Sequence, residues 1–273
     1  MIESILVATD GSEASGAAER VAIALASRLR ARLSGISVVE ERDLRAPSSD
    51  GLALPGFPES ESAAYWRARA EATGRRFSER ARGEGLEASC ESVQGIADDQ
   101  IAERARSADL LVVGRDGKGV GSHSALIGST VNGVIRKTSG ATLVAPAAAP
   151  LSGPIVLGFD GSPGSRIAAN VAVGLANGLG ESVHVFVDSK DKGRAVARFE
   201  EVRQLVAGLS VPVREASSTL GRPDVKLVDT AREARAGLIV MGAFGRNRIT
   251  EYFLGSNAAA VVRTSPVAVL LAR

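Results

Sequence analysis

A single cysteine, Cys90, occurs among 273 residues, so no disulfide can form within the chain. That fits a reducing compartment. Aromatic residues are scarce too, at 4% against 45% hydrophobic residues overall, so the core must be built from Ala, Val, Leu and Ile. No run of 18 apolar residues exists, and a membrane-spanning helix is not expected. The first residues run straight into an apolar strand, Ile5-Leu6-Val7-Ala8, without the apolar core and cleavage site of a secretory leader. A cytoplasmic protein is the expectation. Lys and Arg number 33 against 31 Asp and Glu, a formal net charge of +2, and no dense basic tract appears. Neither nucleic acid nor a membrane surface is an expected partner.

Several catalytic patterns are missing as well. The sequence has no Gly-x4-Gly-Lys-[Ser/Thr], which excludes a P-loop ATPase, and no Gly-x-Gly-x-x-Gly after a strand. Gly-x-Ser-x-Gly is absent, and no Ser/His/Asp set stands out. The two histidines, His123 and His184, have no second His or Cys at ligand spacing, so zinc is not expected. His184 alternates with Val183 and Val185 and reads as packed; His123 sits in a glycine-rich loop and reads as solvated.

What the chain does have is a repeat. Ile5-Leu6-Val7-Ala8-Thr9-Asp10-Gly11-Ser12 returns as Ile155-Val156-Leu157-Gly158-Phe159-Asp160-Gly161-Ser162, with Ser15 and Ser165 completing Asp-Gly-Ser-x-x-Ser twice. The run 109–114 returns as 237–242, and Gly128-Ser129 returns as Gly255-Ser256. Both halves close on an apolar strand, at 141–145 and 267–271. A linker rich in Ala and Pro, 146–153, lies between them. The expected domains are therefore 1–150 and 151–273, with the boundary near Ser152.

Each half reads as alternating strands and helices. Ser12 and Ser162 are candidate N-caps, and Pro163 suits a first helical position. The helices are expected over 13–30, 63–82 and 98–107, and over 163–179, 194–208 and 224–234. Second and third strands are expected over 33–39 and 88–93, and over 182–187 and 211–217. Near-continuous apolar strands in this alternation predict a parallel sheet covered on both faces. The first half carries 22 more residues between Asp10 and Gly114 than the second carries between Asp160 and Gly242. They fall in a Pro/Gly/Ser-rich excursion over 40–62, read either as a surface insertion or as a lid over a ligand.

The chemistry centres on Gly242-x2-Gly245-x9-Gly255-Ser256. It follows the apolar run Leu238-Ile239-Val240-Met241 and precedes a helical stretch from Asn257. Glycines allow backbone N–H groups to approach a ligand closely. A helix opening at Gly255-Ser256 directs unpaired N–H groups and its positive dipole end at the same place. Together they favour an anion, most simply phosphate. The first half reads Gly114-Arg115-Asp116-Gly117, then ten residues, then Gly128-Ser129. That spacing is one residue longer, carries extra glycines at Gly119 and Gly121, and sets Asp116 where it repels phosphate unless a metal intervenes.

This pattern resembles the nucleotide-binding signature of the ATP-binding branch of the universal stress protein family, and nearly the whole chain shares the resemblance. It implies two tandem flavodoxin-like (Rossmann-like) α/β domains, each a five-stranded parallel sheet of order 3-2-1-4-5. The switch point then falls between strands one and four, which end at Asp10 and Gly114 and at Asp160 and Gly242. It implies ATP with Mg2+, held in the second half by Gly158, Asp160, Val187, Met241, Gly242, Gly245, Arg246, Gly255, Ser256 and Asn257. The corresponding set in the first half is Ala8, Asp10, Val38, Gly114, Gly117, Gly128, Ser129 and Thr130. Asp160 and Asp10 are expected beside the adenine; the plainer reading makes each a helix-capping turn. The second half is the expected better site. The halves are expected to pack face to face as an internal pseudo-dimer through their last strands, with a further homodimer left open. A stress-linked regulator is the expected role. A slow ATP hydrolase competes with it, although the sequence offers no obvious general base. A third reading has the first pocket take a different, more apolar ligand.

Overall fold

The computed structural model describes residues 2–41, 59–116, 128–189, 191–207, 210, 212–218, 222–243 and 254–273. Most of the 40–62 excursion lies outside these residues.

The first strand, β1 (Ser4–Ala8), is buried along its middle. It turns at Asp10-Gly11-Ser12, where Gly11 takes a φ of 76° that a side chain would resist. Helix α1 (Glu13–Leu29) then starts on Ser12, whose Oγ accepts from the Ser15 N–H at 3.2 Å. The chain continues through β2 (Arg32–Glu40), α2 (Glu59–Gly83), β3 (Ala88–Gly95), α3 (Ala97–Ala105), β4 (Leu110–Gly114), α4 (Ser129–Lys137) and β5 (Ala141–Ala145). The second half repeats the series as β6 (Ile155–Phe159), α5 (Pro163–Leu179), β7 (Val183–Asp188), α6 (Lys192–Leu205), β8 (Val213–Ser218), α7 (Pro223–Glu233), β9 (Leu238–Gly242), α8 (Ser256–Thr264) and β10 (Ala268–Ala272). Its turn repeats too: Gly161 has a φ of 75°, Ser162 caps α5 through Ser165 N–H at 3.2 Å, and Pro163 opens the helix.

Several boundaries differ from the sequence expectation for physical reasons. Strand β2 runs on to Glu40 because β3 pairs with it along its length, as far as Glu40 opposite Gly95. Helix α2 starts at Glu59, earlier than the expected 63. Helix α6 starts at Lys192 rather than 194, because Asp191 caps it and accepts from the Gly193 N–H at 2.7 Å.

Among the described residues ten strands join one sheet, in the order β3-β2-β1-β4-β5-β10-β9-β6-β7-β8. Within each half the pairing is parallel and the order is 3-2-1-4-5. The two halves meet at β5 and β10, which pair antiparallel with Leu143 opposite Leu270. They therefore join edge to edge rather than face to face. Short apolar last strands leave unpaired edges, and each covers the other's.

The sheet's two faces carry two cores. One packs Ile5, Val7, Leu143, Leu157 and Leu270 against α1, α2, α5 and α6. The other packs Leu6, Ile36, Val113, Val156 and Val269 against α3, α4, α7 and α8. The first core tolerates one buried carboxylate: Glu19, fully enclosed, is held by the Thr9 hydroxyl and the Arg80 guanidinium. Nearby Cys90 lies against Gly35 and Gly74, and burial, with Glu19 and Glu91 adding to it, pushes its thiol up to about 12. Helices α1 and α5 also touch across the halves. Arg28 donates to the Leu179 carbonyl at 2.8 Å and pairs with Glu181 at 2.7 Å.

Two outcomes follow from this packing. Leu143 and Leu270 are fully buried at the seam, so Leu143→Ala costs about 2–5 kcal/mol in denaturant unfolding. Small-angle scattering of the parent gives one compact particle; two separated lobes, or a loss below about 1 kcal/mol, would contradict the seam. The second concerns Arg30, which ends α1 at a φ of 55°, where Gly180 ends α5 at 67°. A left-handed residue with a Cβ costs about 1–2 kcal/mol, part of which glycine loses again to chain entropy. Arg30→Gly is expected to raise stability by about 0.5–1 kcal/mol, and a lowered melting temperature would refute it.

Candidate functional site

Both cavities open at the carboxyl ends of the strands, on the face covered by α3, α4, α7 and α8. In the first half β1 and β4 diverge there, and the cavity of about 340 Å3 is lined by Ala8, Asp10, Val38, Gly114, Asp116, Gly128, Ser129 and Thr130, among others. In the second, β6 and β9 bound a smaller space of about 140 Å3, lined by Gly158, Asp160, Met241, Gly242, Gly255, Ser256 and Asn257, among others. Bulk accounts for part of the difference: Phe186 stands where the first half has Ile36.

The structure thus brings together most of the residues singled out from sequence. Gly117, Gly245 and Arg246 lie outside the described residues, as does His123. Val187 is a correction. It is fully buried on the opposite face, packed with Leu157 and Val185 over α5 and α6. The strand alternates faces residue by residue, and Phe186, one position earlier, is the side chain that lines the cavity. His184 lies on β7 beside Arg214 of β8 and lines neither cavity; burial and that neighbouring charge hold its imidazole below the ordinary value.

Each aspartate at the strand end does the work of the plainer reading. Asp10 Oδ1 accepts from the Ser12 N–H at 2.9 Å, and Asp160 Oδ1 from the Ser162 N–H at 3.0 Å. Both also line their cavities, so the turn fixes a carboxylate at the mouth. Gly114 and Gly242 have a packing reason too. A Cβ on Gly114 would lie 2.4 Å from the Ala14 carbonyl oxygen, and one on Gly242 would lie 2.8 Å from the Gly164 carbonyl carbon. The first turn of α1 or α5 presses on the strand end, and only a residue without a side chain fits.

The opposite wall is a helix start. Helices α4 and α8 begin after Gly128 and Gly255, whose φ values of −53° and −55° are open to any residue. Neither cap has a side chain to satisfy the first-turn N–H groups, which border the cavities at Ser129 and Thr130 and at Ser256 and Asn257. Each cap glycine is itself pinned: Gly128 N–H donates to the Arg115 carbonyl at 3.3 Å, and Gly255 N–H to the Ala243 carbonyl at 3.1 Å. Such an end attracts an anion.

Charged groups distinguish the halves. In the first, Asp116 is paired with Arg115 at 3.3 Å, which offsets its repulsion of phosphate. Glu40, at the end of β2, also lines this cavity and accepts from the Ala97 N–H at 3.0 Å. In the second, Asp224 of α7 lines the cavity, and the Arg222 guanidinium holds its carboxyl below the ordinary carboxylate range. Glu40 and Asp224 went unnoticed in the sequence, because each is distant along the chain from the glycine loop. Among the described residues no group of three or more His, Cys, Asp or Glu could hold a metal ion, and no helix is long and apolar enough to cross a membrane.

Comparison with known proteins agrees with this architecture. The solved structure of a universal stress protein from Archaeoglobus fulgidus superposes over 100% of this chain and 99% of its own, with a TM-score of 0.80 at 18% identity. A universal stress protein from Pseudomonas aeruginosa superposes over 99% and 93%, with a TM-score of 0.63 at 20% identity. At such identities the likeness shows the fold alone. In sequence, a universal stress protein from Mycobacterium tuberculosis H37Rv is 31% identical over 192 residues, and one from Mycolicibacterium smegmatis is 30% identical over 191. Each alignment covers 63% of this chain and 64% of the relative. The model of the universal stress protein family matches residues 1–146 and, again, 152–273. The chain therefore belongs to the universal stress protein family and carries its domain twice.

Proposed function

We propose that the chain binds an adenine nucleotide, ATP with Mg2+, at the strand ends of each half, and that occupancy by nucleotide serves a regulatory role in the stress response of a cytoplasmic protein. The observation that carries this reading is the start of α8. Its uncapped first turn at Ser256 and Asn257 shares one cavity with the carboxylate of Asp160 and the apolar walls of Phe186, Leu227 and Val261. Phosphates suit the first end, a base the second. A carboxylate beside the base accepts from an exocyclic amino group. The glycine loop, with Gly245 and Arg246, supplies the remaining phosphate contacts, and the Mg2+ arrives with the nucleotide.

The second half is the tighter ATP site in this reading, because its loop has the family spacing and the first loop is one residue longer. The larger first cavity, with Glu40 in its wall, favours a second reading for that half alone: a ligand with more hydrogen-bond donors and less negative charge than ATP. A slow hydrolase is the enzymatic alternative, and a turnover assay with purified chain separates it from plain binding.

The sites can be told apart in the full chain. Gly255→Val adds a branched side chain where phosphate approaches, at a backbone conformation that valine adopts readily. Each charge-assisted donor lost is worth about 1.5–3 kcal/mol, one to two decades in affinity. Calorimetry with Mg-ATP should show the tighter event lost in Gly255→Val and retained in Gly128→Val. Unchanged binding in the first variant would remove the assignment, and the reverse pattern would invert the ranking.

Asp160→Ala tests the base. Loss of one hydrogen bond to adenine costs about 0.5–1.5 kcal/mol, more for a charged acceptor. The ratio of ATP to GTP affinity at the second site should fall accordingly; an unchanged ratio leaves Asp160 as a capping residue only.

A further inference from the structure

The two helices that face the cavities are each finished, at their far ends, by an arginine from the opposite half. Arg115 follows β4 in the first half. Its Nη1 donates to the carbonyls of Arg263 at 3.2 Å and Ser265 at 3.0 Å, which end α8. Arg273 follows β10 in the second half. Its guanidinium donates to the carbonyls of Ile135, Arg136 and Thr138, which end α4. Helix C-termini leave carbonyls unpaired and carry the negative end of the dipole, so a forked cation suits them on both counts. Both guanidinium groups are withdrawn from water: the Arg115 side chain is 19% exposed, and burial lowers the affinity of Arg273 for its proton.

Arg115 is tied to the first cavity as well. Its Nε donates to Asp116 Oδ2 at 3.3 Å, and its carbonyl accepts from the Gly128 N–H that starts α4. The matching residue of the second half is Ala243. It keeps the backbone pattern, with N–H to the Ala272 carbonyl at 2.9 Å and carbonyl to the Gly255 N–H at 3.1 Å, but has no side chain to reach across. The repeat therefore does not require an arginine here; the contact with α8 is an addition of the first half.

We propose that each site's phosphate-facing helix is positioned by the arginine of the other half: Arg115 sets α8 for the second site, and Arg273 sets α4 for the first. This rests on the nucleotide reading above. A nine-residue helix is a rod of about 14 Å. A shift or tilt released at its C-terminus displaces the first-turn N–H groups at the other end. Those donors hold an anion only within a few tenths of an ångström of the right distance. Arg115 and Arg273 are positioning residues here, since neither touches the ligand of the site it serves.

The test uses the full chain in an Asp116→Asn background, so that no carboxylate is left unpaired in the first cavity when Arg115 is changed. Hydrogen–deuterium exchange follows a Mg-ATP titration, with peptides over 128–138 and 255–265 read separately. Arg115→Met should weaken the midpoint read at α8 by about 3–10-fold and leave that at α4 within about 2-fold. Arg273→Met should do the reverse. Arg115→Lys, which restores the charge and part of the hydrogen bonding, should recover part of the loss. Midpoints that shift in the variant's own half, in both halves equally, or not at all overturn the proposal. Should Mg-ATP protect neither helix in the parent, the nucleotide reading fails, and the ligand-free chain decides the positioning claim. There Arg115→Met must speed exchange of amides 259–265 without speeding those of α4, and equal rates in parent and variant overturn it.

Discussion

The antiparallel pairing of β5 with β10 is the contact on which the rest of the molecule depends. A parallel five-stranded sheet built from crossovers ends on a strand whose outer edge has no partner. Here the repeat supplies one, with Val144 opposite Val269 and Leu143 opposite Leu270. The pairing joins ten strands into one sheet and lets each helical layer run across both halves. It also brings the residue after β4 to the end of α8, and the residue after β10 to the end of α4. The arginines that cap those helices have meaning only once the seam exists.

Much of this was legible in the sequence, and for identifiable reasons. Asp-Gly-Ser written twice marks a tight turn into a capped helix, and both copies form that turn with near-identical geometry at Gly11 and Gly161. The period of the apolar residues told strand from helix throughout. The joining strands were legible as short apolar runs, whereas their edge-to-edge geometry was not, because burial alone does not distinguish a paired edge from a covered face. Val187 shows the limit more sharply. Val185 and Phe186 before it are also apolar, so pattern gave no sense of which face points to the cavity, and a slip of one residue selects the wrong one.

The candidate sites were legible where local chemistry dictates them and hidden where distant segments meet. Gly255-Ser256 announces a helix start to any reader of the sequence. Glu40 and Asp224 sit at the ends of other elements and become wall residues only through the sheet's crossovers. Gly114 and Gly242 carry a further lesson. Their lack of a side chain suits a phosphate loop, yet the first turn of the neighbouring helix already demands it. A glycine at this place would be kept by packing even in a domain that had lost its ligand, so its presence argues for the fold before it argues for binding.

Cys90 has a practical and a biological consequence. Burial pushes the Cys90 thiol up to about 12, which keeps it protonated at neutral pH. The thiolate is the form that attacks peroxide and alkylating reagents, so Cys90 is a poor nucleophile. Oxidation at this thiol is correspondingly slow. The same low reactivity suits the native sequence to labelling: a dye directed to an engineered, exposed cysteine would react there well before it reached Cys90.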